Sequence, residues 1–462
     1  MVEIKKNEEY CIDIIDINHE GLGVGKIDGY TVFVGGVVVG ERVNVKLVKV
    51  NKTYGYGKLL AIEETSSDRV DDVCGVARRC GGCAVSHVDY LAQLRYKMNL
   101  VRENMLRIGG VDTEVEDIIG AKDPLYYRNK AQFPVKNVDG KVRMGFYMKN
   151  SHNIVPCGEC SIQHPKINKV CAVVERFLQE RDIQAYDEGS GEGSVRHVLV
   201  RVGEVTGDVM VVIVSATKDV PHIHELVGEL RSNIYGLKSV VVNVNKKNTN
   251  VILGNEDIVI WGQDYIEDCI GKLRFRISPK SFYQVNSKQM EKLYDKVIEY
   301  AGLDGDEIVF DLYCGIGTIT LLLASKAKYV YGVEVVADAV ENAKFNAERN
   351  KIDNVEFLEG RAENIVPKVY DDGVRAEVVV VDPPRKGCDC VLIDTIVAMN
   401  PARIVYVSCN PATLARDVKI LCQEGYLVNR ITPVDMFPMT MHVETVVCLS
   451  QQKPDDQDIL EI

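Results

Sequence analysis

From about residue 271 the chain settles into one rhythm, in which short apolar runs (EIVFDLY, YVYGVEV, VEFLEG, EVVVVDPP, RIVYVSC) alternate with longer mixed segments such as AVENAKFNAERN. Strands that alternate with helices predict a parallel sheet covered on both faces, so residues 271–453 read as an α/β, Rossmann-like domain. In open sheets of this kind, ligands collect at the carboxyl ends of the strands.

The remainder follows other patterns. Residues 1–63 alternate apolar and polar side chains between glycine turns (YCIDIIDI, HEGLGVGKIDG, YTVFVGG, ERVNVKLVKV, YGYGKLLAI), which predicts a small antiparallel β-barrel suited to binding rather than catalysis. Residues 64–270 mix a cysteine cluster, a helix over Tyr90–Ile108 and strand-like runs such as SVRHVLVRVG and GDVMVVIVSA, and read as a central α+β domain. Residues 454–462 form an acidic tail.

A chain of 462 residues has room for two or three domains, and 46% hydrophobic with 26% charged side chains is the make-up of an ordinary soluble protein. No run reaches the ~18 apolar residues that cross a bilayer, and the start, MVEIKKNEEYCIDI, has no apolar leader. A cytoplasmic protein with no membrane partner is expected, and nothing calls for an obligate protein partner, so a monomer is expected too. Fourteen cysteines in such a chain argue against disulfides and for metal ligation, catalysis or burial. A net charge of −12 looks wrong for a nucleic-acid partner. Phosphate contacts depend on clustering, however, and residues 121–149 carry Lys122, Arg128, Lys130, Lys136, Lys141, Arg143 and Lys149 against only Asp123 and Asp139. A solvated basic face and an RNA surface fit that stretch equally.

One cofactor site stands out. The apolar strand IVFDL runs through Tyr313 and Cys314 into Gly315-Ile-Gly317 and then a helix, a turn in which backbone approaches a ligand closely. The next strand ends at Glu334, 23 residues after Asp311, where a carboxylate can accept both hydroxyls of a ribose. The turn lacks the third glycine that normally accompanies a dinucleotide pyrophosphate, which suits a phosphate-free nucleoside such as S-adenosylmethionine.

Three more segments fall at predicted strand ends: Asp382-Pro-Pro-Arg-Lys-Gly387, Tyr406-Val-Ser-Cys-Asn-Pro-Ala-Thr413 and Pro438-Met-Thr-Met-His-Val-Glu-Thr445. Methylation of uracil at carbon 5 needs a thiolate to add at carbon 6 and a base to take the carbon 5 proton, and Cys409 and Glu444 are of the right kinds. Alone, a buried structural thiol and a surface carboxylate are the plainer readings.

Together DLYCGIGT, DPPRKG, YVSCNPATLARD and FPMTMHVET, in this order, resemble the RNA uracil-5 methyltransferase family that includes the tRNA and 23S rRNA enzymes. The resemblance implies a class I methyltransferase fold, Cys409 as nucleophile, Glu444 as base, and Gln284, Tyr313, Glu334 and Asp382 around cofactor and target base. It allows Phe282, in SPKSFYQVN, to stack on a base, although an aromatic there is as often core. Residues 1–61 are similar to the TRAM domain.

The cysteines Cys74-x5-Cys80-Gly-Gly-Cys83 and Cys157-Gly-Glu-Cys160 suit soft metals. As two C-x-x-C pairs they would make a zinc knuckle with Cys74 spare. Their pattern instead resembles the 4Fe-4S site of the 23S rRNA branch of the family, which implies Cys74, Cys80, Cys83 and Cys160 as ligands and leaves Cys157 as an alternative to Cys160. The co-occurrence of barrel and cluster pattern implies a 23S rRNA substrate in preference to a tRNA T-loop, with amino-group methylation as a further alternative.

Overall fold

The computed structural model describes residues 4–149 and 151–452. The acidic tail expected at 454–462 lies outside the described residues.

The first five strands, β1 (Glu9–Ile17), β2 (Gly23–Ile27), β3 (Tyr30–Val34), β4 (Arg42–Val50) and β5 (Tyr54–Glu64), close into a barrel in the order β1-β2-β3-β5-β4. Alternation decides which side chains fill it: Ile12, Ile14, Val32, Val34, Val43, Val45 and Leu47 point inward as one apolar cluster. The pairing is antiparallel except between β3 and β5, which run parallel.

Next comes α1 (Tyr90–Asn104), capped by the Asp89 carboxylate, which accepts the Leu91 and Ala92 amides. The helix expected to reach Ile108 loosens into a π-turn at Met105–Gly109 and stops at Gly110, in the left-handed region at φ 68°. A second sheet follows, built from β6 (Lys130–Val138), β7 (Lys141–Tyr147), β8 (Ile154–Pro156), β9 (Val195–Val202), β10 (Val209–Ser215), β11 (Leu237–Val244) and β12 (Glu256–Gly262), in the order β12-β11-β10-β9-β6-β7-β8. Helices α2 (Pro165–Glu180) and α3 (Ile223–Asn233) cover one face. Both faces of its middle are buried, and β10 shows the division: Val211 and Ile213 join the cluster under α2 and α3, while Met210, Val212 and Val214 join a different one.

That second cluster is shared with the C-terminal part of the chain. The hairpin β13 (Ile266–Ile270) and β14 (Leu273–Ile277) and helix α4 (Ser287–Ala301) sit between the second sheet and a third one. The third sheet comprises β15 (Ile308–Leu312), β16 (Tyr329–Glu334), β17 (Val355–Glu359), β18 (Val378–Val381), β19 (Arg403–Ser408), β20 (Tyr426–Val434) and β21 (Glu444–Gln451), with α5 (Thr318–Ala324), α6 (Ala337–Arg349), α7 (Ala362–Asp371), α8 (Cys390–Met399) and α9 (Pro411–Gln423) between them. Its order is β17-β16-β15-β18-β19-β21-β20, with the first five parallel and β21 antiparallel to both neighbours. This is the α/β, Rossmann-like architecture expected from the strand–helix rhythm.

Residues 90–119, which the sequence rhythm groups with the middle of the chain, pack on this third sheet. Val101 and Met105 join its outer cluster, Val115 and Ile119 bridge to β20 at Ile431 and Val434, and the buried Lys97 ammonium meets Asp435 at 2.5 Å. A fully buried lysine is tolerated because a carboxylate neutralises it. Among the described residues no helix is long and apolar enough to cross a membrane.

Candidate active site and cysteine cluster

The carboxyl ends of β15, β16, β18 and β19 lie along one edge of the third sheet; Glu334 closes β16, and the turns after the other three carry Tyr313, Asp382 and Cys409. Glu444 reaches the same edge by the opposite route. Because β21 runs antiparallel to β19 with Ser408 opposite Thr445, the first residue of β21 sits across from the residue that follows β19. Cys409 and Glu444 are thereby neighbours although 34 residues lie between them.

The electrostatics agree with that placement. Burial, then the negative charges of Glu444 and Asp382, push the Cys409 thiol up to about 11, while Arg385 opposes the shift. Burial and the Asp382 charge raise Glu444 strongly, again against Arg385, and burial raises Asp382. Each carboxylate's charge disfavours the other's in this buried setting, so both hold their protons to higher pH than free carboxylates do. Helix α9 begins just after Cys409, with Asn410 as N-cap and Pro411 in the first turn, and its N-terminal dipole favours a thiolate there.

The loop after β18 is fastened to α9. The Arg385 carbonyl accepts from Asn410 Nδ2 at 3.0 Å and from Thr413 Oγ1 at 3.2 Å, and Arg416 donates to the Lys386 carbonyl at 2.9 Å. Asp417, buried, accepts the Cys388 amide at 2.8 Å and the Tyr406 hydroxyl at 2.6 Å, tying the loop to β19. Gly387 has φ +81°, and a Cβ there would lie 2.4 Å from Asp417 Oδ2, so no other residue fits without displacement. Arg385 and Asp417 were not singled out from the sequence. Asp417 had a signal, an acidic residue on the inner, apolar side of α9.

The glycine turn forms the other half of the site. Tyr313 (φ 69°), Gly315 (φ 57°) and Gly317 (φ 81°) all take left-handed backbone, which bends the chain sharply out of β15. Glu334 braces it: one oxygen accepts the Gly315 amide at 3.1 Å and the other the Val336 amide at 2.8 Å. Beyond the Gly315 Cα there is open space, the kind of cradle a ligand occupies. Asp311, in the sequence only a mark of spacing, lies buried beneath. One of its oxygens accepts from Thr320 at 2.5 Å, the other has no partner among the described residues, and burial holds the carboxyl up to about 7. Gln284 is buried in the loop before α4; its carbonyl accepts from Asn129 at 2.9 Å, and its side chain makes no hydrogen bond among the described residues. Phe282, two residues away, is 68% exposed.

The cysteines form a separate group. Cys74, Cys80, Cys83, Cys157 and Cys160 all line one small hollow. Among the described residues no set of three or more His, Cys, Asp or Glu is arranged to hold a single metal ion. A hydrogen bond from Cys157, together with the Ile162 and Gln163 amides, lowers the Cys160 thiol, which makes Cys160 the readier thiolate of that pair. Burial and neighbouring thiols raise Cys83. The hollow abuts the segment leading to Glu444: Met439 packs with Cys160, Ile162 and Tyr127, and its amide donates to Gln93 at 2.9 Å. The basic stretch of 121–149 does not form one free face, since Arg143 pairs with Glu175 and Lys149 with Glu20.

A family model described as tRNA (Uracil-5-)-methyltransferase matches residues 89–452, and a TRAM domain model matches residues 4–60. An RNA methyltransferase of Clostridium acetobutylicum is 48% identical over 454 residues, 98% of this chain and 99% of that one. One from Caldanaerobacter subterraneus subsp. tengcongensis is 51% identical over 451 residues, covering 98% and 100%. Among solved structures, the Pyrococcus abyssi tRNA (uracil-54, C5)-methyltransferase in complex with S-adenosyl-L-homocysteine is 27% identical and superimposes with a TM-score of 0.77 over 95% of this chain and 99% of that one.

Proposed function

The chain belongs to the tRNA (uracil-5-)-methyltransferase family, S-adenosylmethionine-dependent enzymes acting on RNA, and from that premise we propose that it methylates carbon 5 of a uridine in 23S rRNA through a covalent bond to Cys409. The observation that carries the mechanism is the antiparallel register that sets Glu444 across from Cys409. Amino-group methylation needs no such thiol.

S-adenosylmethionine, when bound, supplies an electrophilic methyl group. The open turn at Gly315, the Glu334 carboxylate and the unpartnered oxygen of buried Asp311 fit a molecule that carries ribose hydroxyls and an ammonium. Tyr313, Gln284 and Asp382 border the same space in this reading, and Phe282 stacks on a base. Cys409 gives its proton to solvent, which leaves Glu444 free to act later, and its sulfur bonds to carbon 6 of uracil. The electrons of the C5–C6 double bond move to the carbon 4 oxygen as an enolate; carbon 5 then takes the methyl group, the pair of the methyl–sulfonium bond stays on sulfur, and S-adenosylhomocysteine is the leaving group. Glu444 accepts the carbon 5 proton, the double bond re-forms, and sulfur leaves carbon 6 with its electron pair. The Cys409→Ala enzyme should lose turnover entirely, and wild type should be trapped as a stable adduct by RNA containing 5-fluorouridine; a fully active alanine variant refutes the mechanism.

We also assign a 4Fe-4S cluster to Cys74, Cys80, Cys83 and Cys160. Five soft donors around one hollow support it, and four irons spread their ligands more widely than the ~2.3 Å shell around one zinc. With four thiolates it has no open position, so its role is structural. Purified protein should contain iron and acid-labile sulfide and absorb in the visible; zinc instead would reject the assignment. Cys157→Ser should keep the cluster and Cys160→Ser lose it.

A second reading is a tRNA substrate, favoured by the likeness to the Pyrococcus abyssi tRNA enzyme. Labelled S-adenosylmethionine with either protein-free 23S rRNA or total tRNA separates the two: label confined to tRNA rejects the rRNA substrate.

A further inference from the structure

The outer wall of the barrel carries side chains that its core does not need. In β3 and β5 the inward positions belong to Val32, Val34, Gly55 and Gly57, and the alternate positions place Phe33, Tyr54 and Tyr56 on the outside. The parallel register aligns Thr31 with Tyr54 and Phe33 with Tyr56, so the three rings share one face. They form a closed triad, with centroids 5.7 Å apart for Phe33–Tyr54, 5.7 Å for Phe33–Tyr56 and 5.9 Å for Tyr54–Tyr56. The rings meet tilted or edge to face rather than flat, and Tyr54 remains 38% exposed. Aromatic rings left on a barrel wall gain nothing from the core beneath, which is already filled by aliphatic side chains.

The same wall is basic. Lys49 lies opposite Tyr56 across the β4–β5 pair, its ammonium 5.8 Å from the ring centroid. Lys46 faces Lys58 one step along the pair, and Lys26 stands opposite Thr31 on β2. None of these four lysines is ion-paired among the described residues, in a chain whose net charge is −12. Elsewhere on the surface many lysines and arginines are neutralised by a carboxylate, as Arg42 is by Asp13 on the barrel itself.

We propose that Phe33, Tyr54 and Tyr56, flanked by Lys26, Lys46, Lys49 and Lys58, form a stacking platform for unpaired nucleobases of the RNA substrate. Aromatic faces take up any base because every base has a π-face, and the lysines meet the phosphates between them. Charge complementarity selects a polyanion, and a face that offers exposed Tyr54 with half-buried Phe33 and Tyr56 selects one whose bases are unstacked rather than a duplex. The proposal rests on the reading of the chain as an RNA methyltransferase, since that is what brings RNA to the barrel.

The test is binding of a short single-stranded oligoribonucleotide containing 2-aminopurine to the full-length protein, without S-adenosylmethionine. Tyr54→Ala/Tyr56→Ala should weaken binding about tenfold or more and abolish the quenching of 2-aminopurine. Tyr54→Phe/Tyr56→Phe, which keeps the rings, should bind and quench like wild type. Unchanged thermal unfolding and unchanged S-adenosylhomocysteine binding show that each variant is folded. Binding by the alanine variant within twofold of wild type, or equal loss in the phenylalanine variant, overturns the platform. Methylation is scored separately on intact rRNA and tRNA with the wild-type protein. No 5-methyluridine from either RNA sinks the functional reading, whatever the oligonucleotide shows.

Discussion

The thiol of Cys409 is harder to ionise than a free cysteine because it is partly buried and, beyond that, faces the Glu444 and Asp382 carboxylates. In the proposed mechanism thiolate formation limits the reaction below the raised value, so kcat/KM should climb at least tenfold per pH unit between pH 6 and 8 rather than level off, which a pH–rate profile at subsaturating RNA would measure. The carboxylates bring a second consequence. Folded Glu444 and Asp382 hold protons to higher pH than unfolded carboxylates do, so the native state binds more protons across that interval. Stability must then fall as pH rises from the ordinary carboxylate range through neutrality. Glu444→Gln removes the buried charge, and its Tm should exceed that of wild type by a few degrees at pH 8 and by little at pH 5, while turnover is lost. The residue types at this centre were legible in the sequence, since a cysteine after one apolar strand and a glutamate before another can be read directly. Their adjacency was not, because it depends on the strand direction of β21, and direction leaves no mark on a linear pattern. Asp311 served in the sequence only to mark the spacing to Glu334, because the burial that leaves one of its oxygens without a partner among the described residues is not recorded in a linear pattern.

Among the elements, the loop of residues 382–388 depends most on one fastening. Asp417 on α9 holds both the Cys388 amide and the Tyr406 hydroxyl, and Gly387 packs on that carboxylate with a left-handed backbone. Gly387→Ala should destabilise the protein by about 1–3 kcal/mol, read from denaturant unfolding, with the loss of activity exceeding what unfolding alone explains. The segment of residues 74–93 plays the matching part on the opposite side of the site. It supplies three of the clustered thiols, and Gln93 also holds the Met439 amide on the approach to Glu444. Gln93→Leu leaves buried backbone groups without partners, so kcat should fall with cofactor affinity retained, which single-turnover kinetics and S-adenosylhomocysteine titration would distinguish. At this scale the sequence told strand from helix well in the third sheet, where each segment keeps its own period. The helix expected over Tyr90–Ile108 is present along that length, but the widening of its last turn into a π-helix at Met105–Gly109 leaves no mark on the apolar spacing.

Across the whole molecule the acidic charge of −12 must coexist with a polyanionic substrate, so binding relies on local clusters of cations and should be steeply salt-dependent. The RNA dissociation constant should rise by at least tenfold between 50 and 200 mM salt, measured by filter binding, and a flat response would mean that phosphate contacts contribute little. A parallel sheet with a barrel ahead of it could be read in advance from two different periodicities. The way the second and third sheets share a core could not, because β10 is apolar on both sides and a sequence does not say which neighbour covers each side. Met210, Val212 and Val214 belong to one apolar cluster with residues of α4 and the third sheet. Two bodies welded in this way have no hinge between them along that seam. Opening like a jaw around a helical RNA would tear that shared core apart. The adjustment falls to the nucleic acid, whose uridine must leave its own helix and enter, at an energetic cost that contacts far from the base have to offset.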